Sequence, residues 1–317
     1  MLDTIFYFIL NMSIASCFVI AALLFIRKIR LLPRRVVYPL WIIAFYRLAM
    51  PFTLPTSWSL FNFTGGLVKR LITVDAITQG TIYIPESANL FAMNFIGAAE
   101  QYAPIEYKAE SLRQAFTTAS LIWAIIAAAI LLTAIVLYML TRQELKKAVH
   151  IRDNLYRSDM LLSPILTGLL YPRIIMPVSL DPDSAEGRMV LAHENIHKRR
   201  LDNLWRVIGV CITSLHWFNP FAWIMLKVFF TDMELSCDES VVQKYSIEER
   251  KTYSETLLRF AEDKRLLIST AFGRSGVKVR IVNVLNYKKL TIIGALTSSL
   301  FLLIVTVTLI TNPQLRG

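Results

Sequence analysis

Charged residues are scarce in this sequence, which argues against an ordinary soluble domain. They make up 18% of the 317 residues, whereas soluble globular domains carry about 25%. Cysteine and histidine are also rare, with three and four residues respectively, and no Cys-x-x-Cys pair occurs. Neither a disulfide framework nor a thiolate zinc site is therefore indicated.

Apolar residues take the place of the missing charge and fall in four long runs. These runs are 2–26, 36–54, 115–140 and 290–310. A helix needs about 20 apolar residues to cross the hydrocarbon core of a bilayer, so the sequence predicts four transmembrane helices. The second is the least regular, because Pro39, Arg47 and Pro51 interrupt it.

Basic residues predict how these helices are oriented. Five of them, and no acidic residue, fall in loop 27–35, and such loops stay on the cytoplasmic side. We therefore expect loop 27–35 and region 141–289 in the cytoplasm, and both termini outside the cell membrane. The net charge of +11 follows largely from this topology. The lipid bilayer is an expected partner, whereas direct binding of nucleic acid is not, since no stripe of basic and aromatic residues occurs.

The same runs divide the chain into predicted segments. They are 1–54 with two spans, the extracellular loop 55–114, span three at 115–140, region 141–289, span four at 290–310, and a short extracellular tail at 311–317. Region 141–289 is long enough for one compact domain. Short strands are predicted over 163–169 and 173–178 in this region, and over 71–76 and 81–85 in the extracellular loop.

A helix predicted over 185–200 carries the sequence His193-Glu194-Asn195-Ile196-His197, an HExxH motif. Residues four apart share one face of a helix, so both imidazoles can reach one metal ion. Zinc with three protein ligands keeps one position open and acidifies a bound water, and Glu194 is then the predicted catalytic base. A chance match on a charged helix is the alternative, although two of the four histidines lie here.

A second motif, Glu234-Leu235-Ser236-Cys237-Asp238-Glu239, begins 37 residues after His197. Glu234 is the predicted third metal ligand, and Asp238 is the predicted acceptor that orients a ligand imidazole. A solvated acidic helix face is the alternative. Together the motifs predict Zn²⁺ as the cofactor, held by His193, His197 and Glu234.

The apolar stretch 207–230 lies between the two motifs and is about long enough to span a membrane. A single crossing would separate His197 from Glu234, so the stretch must stay on one side or enter the bilayer and return. Asn219-Pro220 interrupts it near the middle. We favour two apolar helices at the inner membrane face, and a single core helix kinked at Pro220 is the other interpretation.

Weaker assignments concern four other residues. His216 is predicted to be a packed core histidine, with an oxyanion contact as a minor alternative. Asp202 is a candidate partner for a neighbouring arginine. Tyr245 and Tyr253 are weak candidates for a donor that stabilises the transition state.

The segments HENIHKRRLD at 193–202, WFNP at 217–220 and ELSCDE at 234–239 resemble the BlaR/MecR family of integral-membrane zinc metallopeptidases, which are antirepressor signal transducers. The resemblance implies a gluzincin-type domain between spans three and four, with zinc on His193, His197 and Glu234. The predicted fold class is therefore an α-helical multi-pass membrane protein with a cytoplasmic α+β zincin-like metallopeptidase domain.

The resemblance also implies a signalling role. An outside signal would activate the inner protease, and self-cleavage and loss of a transcriptional repressor would follow. We therefore expect a zinc endopeptidase that cleaves itself, a cytoplasmic repressor or both, with self-association as a further expected contact. Segment 269–276 is the predicted self-cleavage site.

The sequence departs from the family's sensors in one respect. Those sensors carry a penicillin-binding domain after the fourth span, and only 311–317 follow it here. Acylation of such a domain by a β-lactam is therefore not expected, whether the sequence is a sensorless homologue or a truncated one.

Two other functions remain open. One is a membrane protease of the prenyl-protein or stress-response type, which the WFNP segment and the close ELSCDE spacing disfavour. The other is a non-catalytic membrane signalling component with a vestigial site, which the intact Glu194 disfavours.

Overall fold

The computed structural model describes residues 2–29, 32–51, 56, 58–59, 110–262 and 276–311. The predicted strands 71–76 and 81–85 lie outside the described residues, as does nearly all of the predicted self-cleavage segment 269–276.

Three helices in the described part of the chain are long and apolar enough to cross a membrane. They are α1 (Leu2–Ile26), α4 (Glu110–Glu144) and α10 (Ile292–Ile310), and they coincide with predicted spans one, three and four. Large apolar side chains on α4 and α10, such as Leu132 and Ile304, are exposed. Exposed apolar surface of this extent is typical of a face that contacts lipid or another protein.

The region of the second predicted span is shorter and interrupted. It forms α2 (Arg34–Val37), a 3₁₀ turn (Tyr38–Leu40) and α3 (Trp41–Ala49), which together fall short of the ~20 residues that a crossing needs. Arg47 is fully buried in α3, where its Nε donates to the Leu309 carbonyl at 2.8 Å. The arginine that interrupts the apolar run is thus satisfied by the end of α10, and a crossing by 36–54 stays a prediction.

A small mixed sheet follows α4. Its strands are β1 (Val149–Arg152), β2 (Leu155–Ser158), β3 (Ile165–Thr167) and β4 (Arg173–Pro177), in the order β1-β2-β4-β3. The predicted strand pair is confirmed as β3 and β4, which are antiparallel with Ile165 opposite Ile175. The β1–β2 hairpin was not predicted, because its strands have four residues each and β1 is exposed throughout.

The helix predicted over 185–200 is confirmed as α5 (Ala185–Arg200). The Ser184 side chain accepts a hydrogen bond from the Gly187 N–H at its start, which satisfies one of the free N–H groups there. A Cβ atom at Gly187 would lie 2.0 Å from the Asp181 carbonyl, so only glycine fits. The helix ends at Leu201, whose φ of 54° turns the chain directly into the next helix.

Stretch 207–230 forms a helical hairpin, which contradicts the single kinked helix. Its arms are α6 (Asp202–Leu215) and α7 (Pro220–Val242). The Asn219 side chain caps α7 by accepting from the Phe221 N–H at 2.8 Å. Asn219 also donates to the Ser13 hydroxyl at 2.7 Å, so the tip of the hairpin lies beside the middle of α1.

Two further helices complete the domain. They are α8 (Ile247–Glu262) and α9 (Gly276–Leu285). Tyr253 of α8 and Val284 of α9 pack with Val242 of α7 and Met189 of α5 in one buried apolar cluster. The sheet packs on the other side of α5 through Ile174, Met176 and Val190, so α5 is held between the sheet and the α7–α9 layer.

Candidate metal centre

α5 presents two buried histidines on one face. His193 and His197 are 6% and 4% exposed, and their Nε2 atoms lie 3.0 Å apart. Two ligands at the usual zinc distance of about 2.0–2.1 Å in a tetrahedral site lie about 3.3–3.4 Å from each other. The spacing of the two nitrogens therefore suits a shared metal ion.

α7 brings Glu234 to the same nitrogens. Its Oε2 lies 3.5 Å from His193 Nε2, and its Oε1 lies 3.6 Å from His197 Nε2. The three residues predicted as ligands thus converge, although 37 positions separate His197 from Glu234. The carboxylate oxygens are almost equally distant from the two imidazole nitrogens, which is the arrangement expected if all three residues bind one metal ion.

The opposite nitrogen of each imidazole contacts a carboxylate. Asp238 Oδ1 lies 3.2 Å from His193 Nδ1, and Tyr253 bridges the two by donating to that oxygen at 2.7 Å. On the other imidazole, His197 Nδ1 lies 2.6 Å from Asp202 Oδ2. Acceptors at Nδ1 hold the proton there and leave Nε2 free for a metal.

Asp202 and Tyr253 differ from their predicted roles. Asp202 pairs with Arg200, as expected, but it also holds His197, which the sequence did not indicate. Tyr253 lies 2.9 Å from His193 Nδ1, on the side away from the ligand atoms, so it positions a histidine and is not placed as a transition-state donor. Tyr245 packs edge-on against the Tyr253 ring.

His216 and Glu194 occupy very different surroundings. His216 is fully buried in the hairpin turn, and its Nε2 lies 2.9 Å from the Leu48 carbonyl, as befits a core histidine. Glu194 is half-buried on α5. Within the described ranges, no hydrogen bond or ion pair restrains its side chain, so its carboxylate is free to meet a substrate.

Cys237 is a candidate ligand that the sequence did not reveal. It is fully buried on α7, and its sulfur and one ligand-capable nitrogen from each of His193 and His197 all lie within 4.8 Å of one another. Cys237 has no neighbouring cysteine in the sequence, and the two histidines that it approaches lie on another helix, so local spacing does not indicate a metal site that includes it. α7 therefore carries two side chains that could bind a metal at this place, Glu234 and Cys237.

Two arginines clamp Glu234. Arg206 Nη2 lies 2.6 Å from Oε1, and Arg280 Nη1 lies 3.2 Å from Oε2. Arg280 also donates from Nε to Asp238 Oδ2 at 2.8 Å. Neither arginine was predicted, since α6 and α9 meet α7 only in the folded chain.

The charges around the site lower the pKa values of its three acidic side chains. Burial opposes ionisation of Asp238, but Arg280 and His193 lower its pKa to about 2. Burial likewise opposes ionisation of Glu234, yet His197 and Arg280 hold its pKa well below the usual value. For Cys237, burial is again outweighed by the two imidazoles, which lower the thiol pKa.

The pKa values of the two imidazoles are raised. Burial alone would lower the pKa of His193 and His197, but Cys237 and the other acidic neighbours raise both pKa values well above the ordinary one. The metal-free site therefore takes up protons on its imidazoles, and a metal ion must displace them.

A buried cluster of imidazoles and carboxylates thus lies between a small sheet and long apolar helices, an arrangement typical of a membrane metallopeptidase. A model of the BlaR1 peptidase M56 family matches residues 7–284, and the chain belongs to this family. The family relationship implies peptidase activity that depends on a metal.

Curated relatives agree with this family. The chain is 35% identical over 146 residues to "Regulatory protein BlaR1" of Bacillus licheniformis, which covers 44% of this chain and 24% of that protein. It is 25% identical over 99 residues to "Methicillin resistance mecR1 protein" of Staphylococcus aureus, which covers 31% of this chain and 17% of that one. The matches thus span about a quarter or less of the relatives' length.

Proposed function

We propose that this protein is a membrane-embedded zinc endopeptidase of a signalling system, which cleaves itself, a cytoplasmic transcriptional repressor or both. The observation that carries this proposal is the convergence of His193 Nε2, His197 Nε2 and the Glu234 carboxylate within 3.0–3.6 Å. Family membership supports the peptidase activity, and the relatives' names support the regulatory role.

The residues around the cluster fit a zinc ion. His193, His197 and Glu234 would hold it, and two nitrogens with one oxygen are a donor set that catalytic zinc accepts. When bound, zinc supplies a Lewis acid that polarises the scissile carbonyl and lowers the pKa of water. Asp202 and Asp238 keep both imidazoles oriented, while Arg206 and Arg280 keep the Glu234 carboxylate ionised and in place.

Glu194 is the proposed catalytic base. It follows His193 on α5, is half-buried and has no competing partner among the described residues. A carboxylate in this position takes a proton from the attacking water and delivers it to the leaving amine. Tyr253 and Asp238 act on the far side of His193 and do not contact the reacting atoms.

The membrane is part of the proposal. The turn of the α6–α7 hairpin contacts Ser13 in the middle of α1, and Trp123 of α4 donates to the Leu215 carbonyl at 2.7 Å. These contacts support a hairpin that enters the bilayer from the cytoplasmic side and returns, with both termini outside and region 141–289 inside. The metal ligands then lie at the inner membrane face.

Two peptide substrates are proposed for this protease. A segment near 269–276, between α8 and α9, is the proposed self-cleavage site, and a cytoplasmic repressor is the proposed second substrate. Self-cleavage between two copies would require the self-association that we also propose.

The test is a fragment analysis of the purified, zinc-loaded protein by mass spectrometry. The wild-type chain should yield self-cleavage fragments that are absent from Glu194→Gln. The matched control is Glu186→Gln, which removes an exposed carboxylate on the same helix and should cleave as the wild type does. Fragments that persist equally in Glu194→Gln would overturn the proposal.

A further inference from the structure

Cys237 lies three residues after Glu234 on α7, so both side chains point from the same face of the helix. We propose that the Cys237 thiolate is a fourth protein ligand of the metal in the resting protein and that it holds the peptidase at a low basal activity, because only molecules that have released the thiolate can cleave. This inference rests on the proposed function, because it assigns a regulator to the same metal site.

The geometry around the sulfur supports a ligand role. Cys237 is fully buried. Its Sγ and one nitrogen from each of the two buried histidines all lie within 4.8 Å of one another. Thiolate sulfur binds zinc at about 2.3 Å, and zinc readily combines cysteine, histidine and carboxylate ligands. A cysteine with no chemical role would be expected to pack among apolar side chains, whereas this one faces two imidazoles.

The charges also suit a fourth ligand. Two neutral imidazoles, the Glu234 carboxylate and the Cys237 thiolate together balance the two positive charges of Zn²⁺. Arg206 Nη2 and Arg280 Nη1 lie 2.6 Å and 3.2 Å from the Glu234 carboxylate, so this carboxylate has cationic partners whether or not a metal is bound.

A Cys237 thiolate in the fourth coordination position of the zinc would explain a low peptidase activity. Zinc with four protein ligands is typical of structural sites, whereas catalytic zinc keeps a position open. With Cys237 bound, no position is available to the substrate carbonyl or to water. Glu194 would then have no reaction to assist, although the remaining machinery is complete.

The structure also offers a place for the released thiol. In it, the Cys237 S–H donates to the His193 carbonyl at 3.3 Å. On release, the metal–sulfur bond would be exchanged for an S–H bond: the thiolate would take up a proton from the bulk solvent, and the Cys237 S–H would then donate to that carbonyl. Cys237 thus has a partner in both states, and the exchange requires no oxidant or reductant.

The position of Cys237 links it to the membrane helices. Two residues after Cys237, the Glu239 carboxylate accepts hydrogen bonds from the backbone N–H groups of Arg34 and Arg35 at 3.0 Å and 3.1 Å. These two arginines are the last residues of loop 27–35 and the first residues of α2. A movement of that loop would therefore act on the turn of α7 that carries Cys237.

The test uses the full chain loaded with Co²⁺ in place of zinc, since cobalt bound to thiolate gives a charge-transfer band in the near ultraviolet. The wild-type protein should show this band together with the visible bands of bound cobalt. The band should be lost in Cys237→Ser and in Cys237→Ala. Cys211→Ser is the matched control, because Cys211 is exposed on α6, and it should keep the band.

The outcomes separate this inference from the proposed function. Visible cobalt bands without a charge-transfer band in the wild type would overturn the Cys237 ligand and leave the zinc peptidase intact. A band that survives in Cys237→Ser would also overturn it. Failure of the wild type to bind cobalt at all would contradict both. With the ligand confirmed, basal self-cleavage should rise in Cys237→Ser and stay unchanged in Cys211→Ser.

Discussion

Asp202 Oδ2 lies 2.6 Å from Nδ1 of His197, and both side chains are buried. The left-handed turn at Leu201 makes this contact, because it folds the first residue of α6 back against the last turn of α5. A carboxylate at this position fixes the ring of a metal-binding histidine and makes it a stronger ligand.

Replacing Asp202 should therefore weaken metal binding. We expect Asp202→Asn to lower the zinc affinity by about 10–100-fold, as is usual for groups that orient a ligand. Competition with a chelator of known affinity measures the change. Asp183→Asn is the control, since its carboxylate pairs with Arg152 at the surface, and an equal loss of affinity in both variants would contradict the role of Asp202.

Zinc affinity should fall as the pH is lowered. The pKa values of His193 and His197 are raised above the ordinary 6.5, and zinc binds only the neutral rings, so binding must release their protons. Below these raised pKa values, each proton costs about tenfold in affinity per pH unit, or about 100-fold when both rings titrate. Calorimetry between pH 6.5 and pH 5.5, below the raised pKa values of both rings, measures this, and an affinity that does not change would refute the titration.

Removing Arg280 should destabilise the metal-free protein. Its guanidinium is 14% exposed and holds the fully buried Asp238 at 2.8 Å. Arg280→Gln removes the guanidinium of a buried ion pair and leaves the Asp238 carboxylate with only His193 and Tyr253 among the described residues, so we expect the free energy of unfolding to fall by about 3–5 kcal/mol.

A matched substitution on the surface provides the comparison. Arg259→Gln breaks an exposed pair with Glu186 and should cost about 0–1 kcal/mol. Denaturant unfolding of both variants in detergent, with a chelator present, measures the difference. Equal losses in the two would show that Arg280 does not stabilise the buried carboxylates.

Cys211 tests whether the hairpin enters the bilayer. Its side chain is exposed on α6, so in the proposed arrangement lipid covers it. A charged maleimide that cannot cross membranes should fail to label Cys211 in open membrane fragments but should label a cysteine placed at the exposed Val149 of β1. Rapid labelling of both positions would place the hairpin in water.

Several features of the fold were predictable because they depend on local sequence. The long apolar runs predicted α1, α4 and α10, and the spacing of four residues predicted that the side chains of His193 and His197 lie together on one helix face. Asn219-Pro220 predicted the break between the two arms of the hairpin, because proline interrupts a helix. The requirement that His197 and Glu234 meet then indicated that the stretch between them returns.

Other features depend on contacts that local sequence does not encode. Arg280 reaches Glu234 from α9, and Cys237 approaches the histidines only because α7 packs against α5. Arg47 is a charged residue within an apolar run. The Leu309 carbonyl that accepts a hydrogen bond from it lies near the other end of the chain, in α10. Such pairings follow from tertiary packing, which spacing along one helix cannot predict.

The most direct test of the central claim is the zinc content of the purified protein. We predict one zinc per wild-type chain, lost in His193→Ala, His197→Ala and Glu234→Ala but retained in His150→Ala, whose side chain lies exposed on β1. A wild-type chain without metal after loading, or one zinc retained in all four variants, would contradict the site described here.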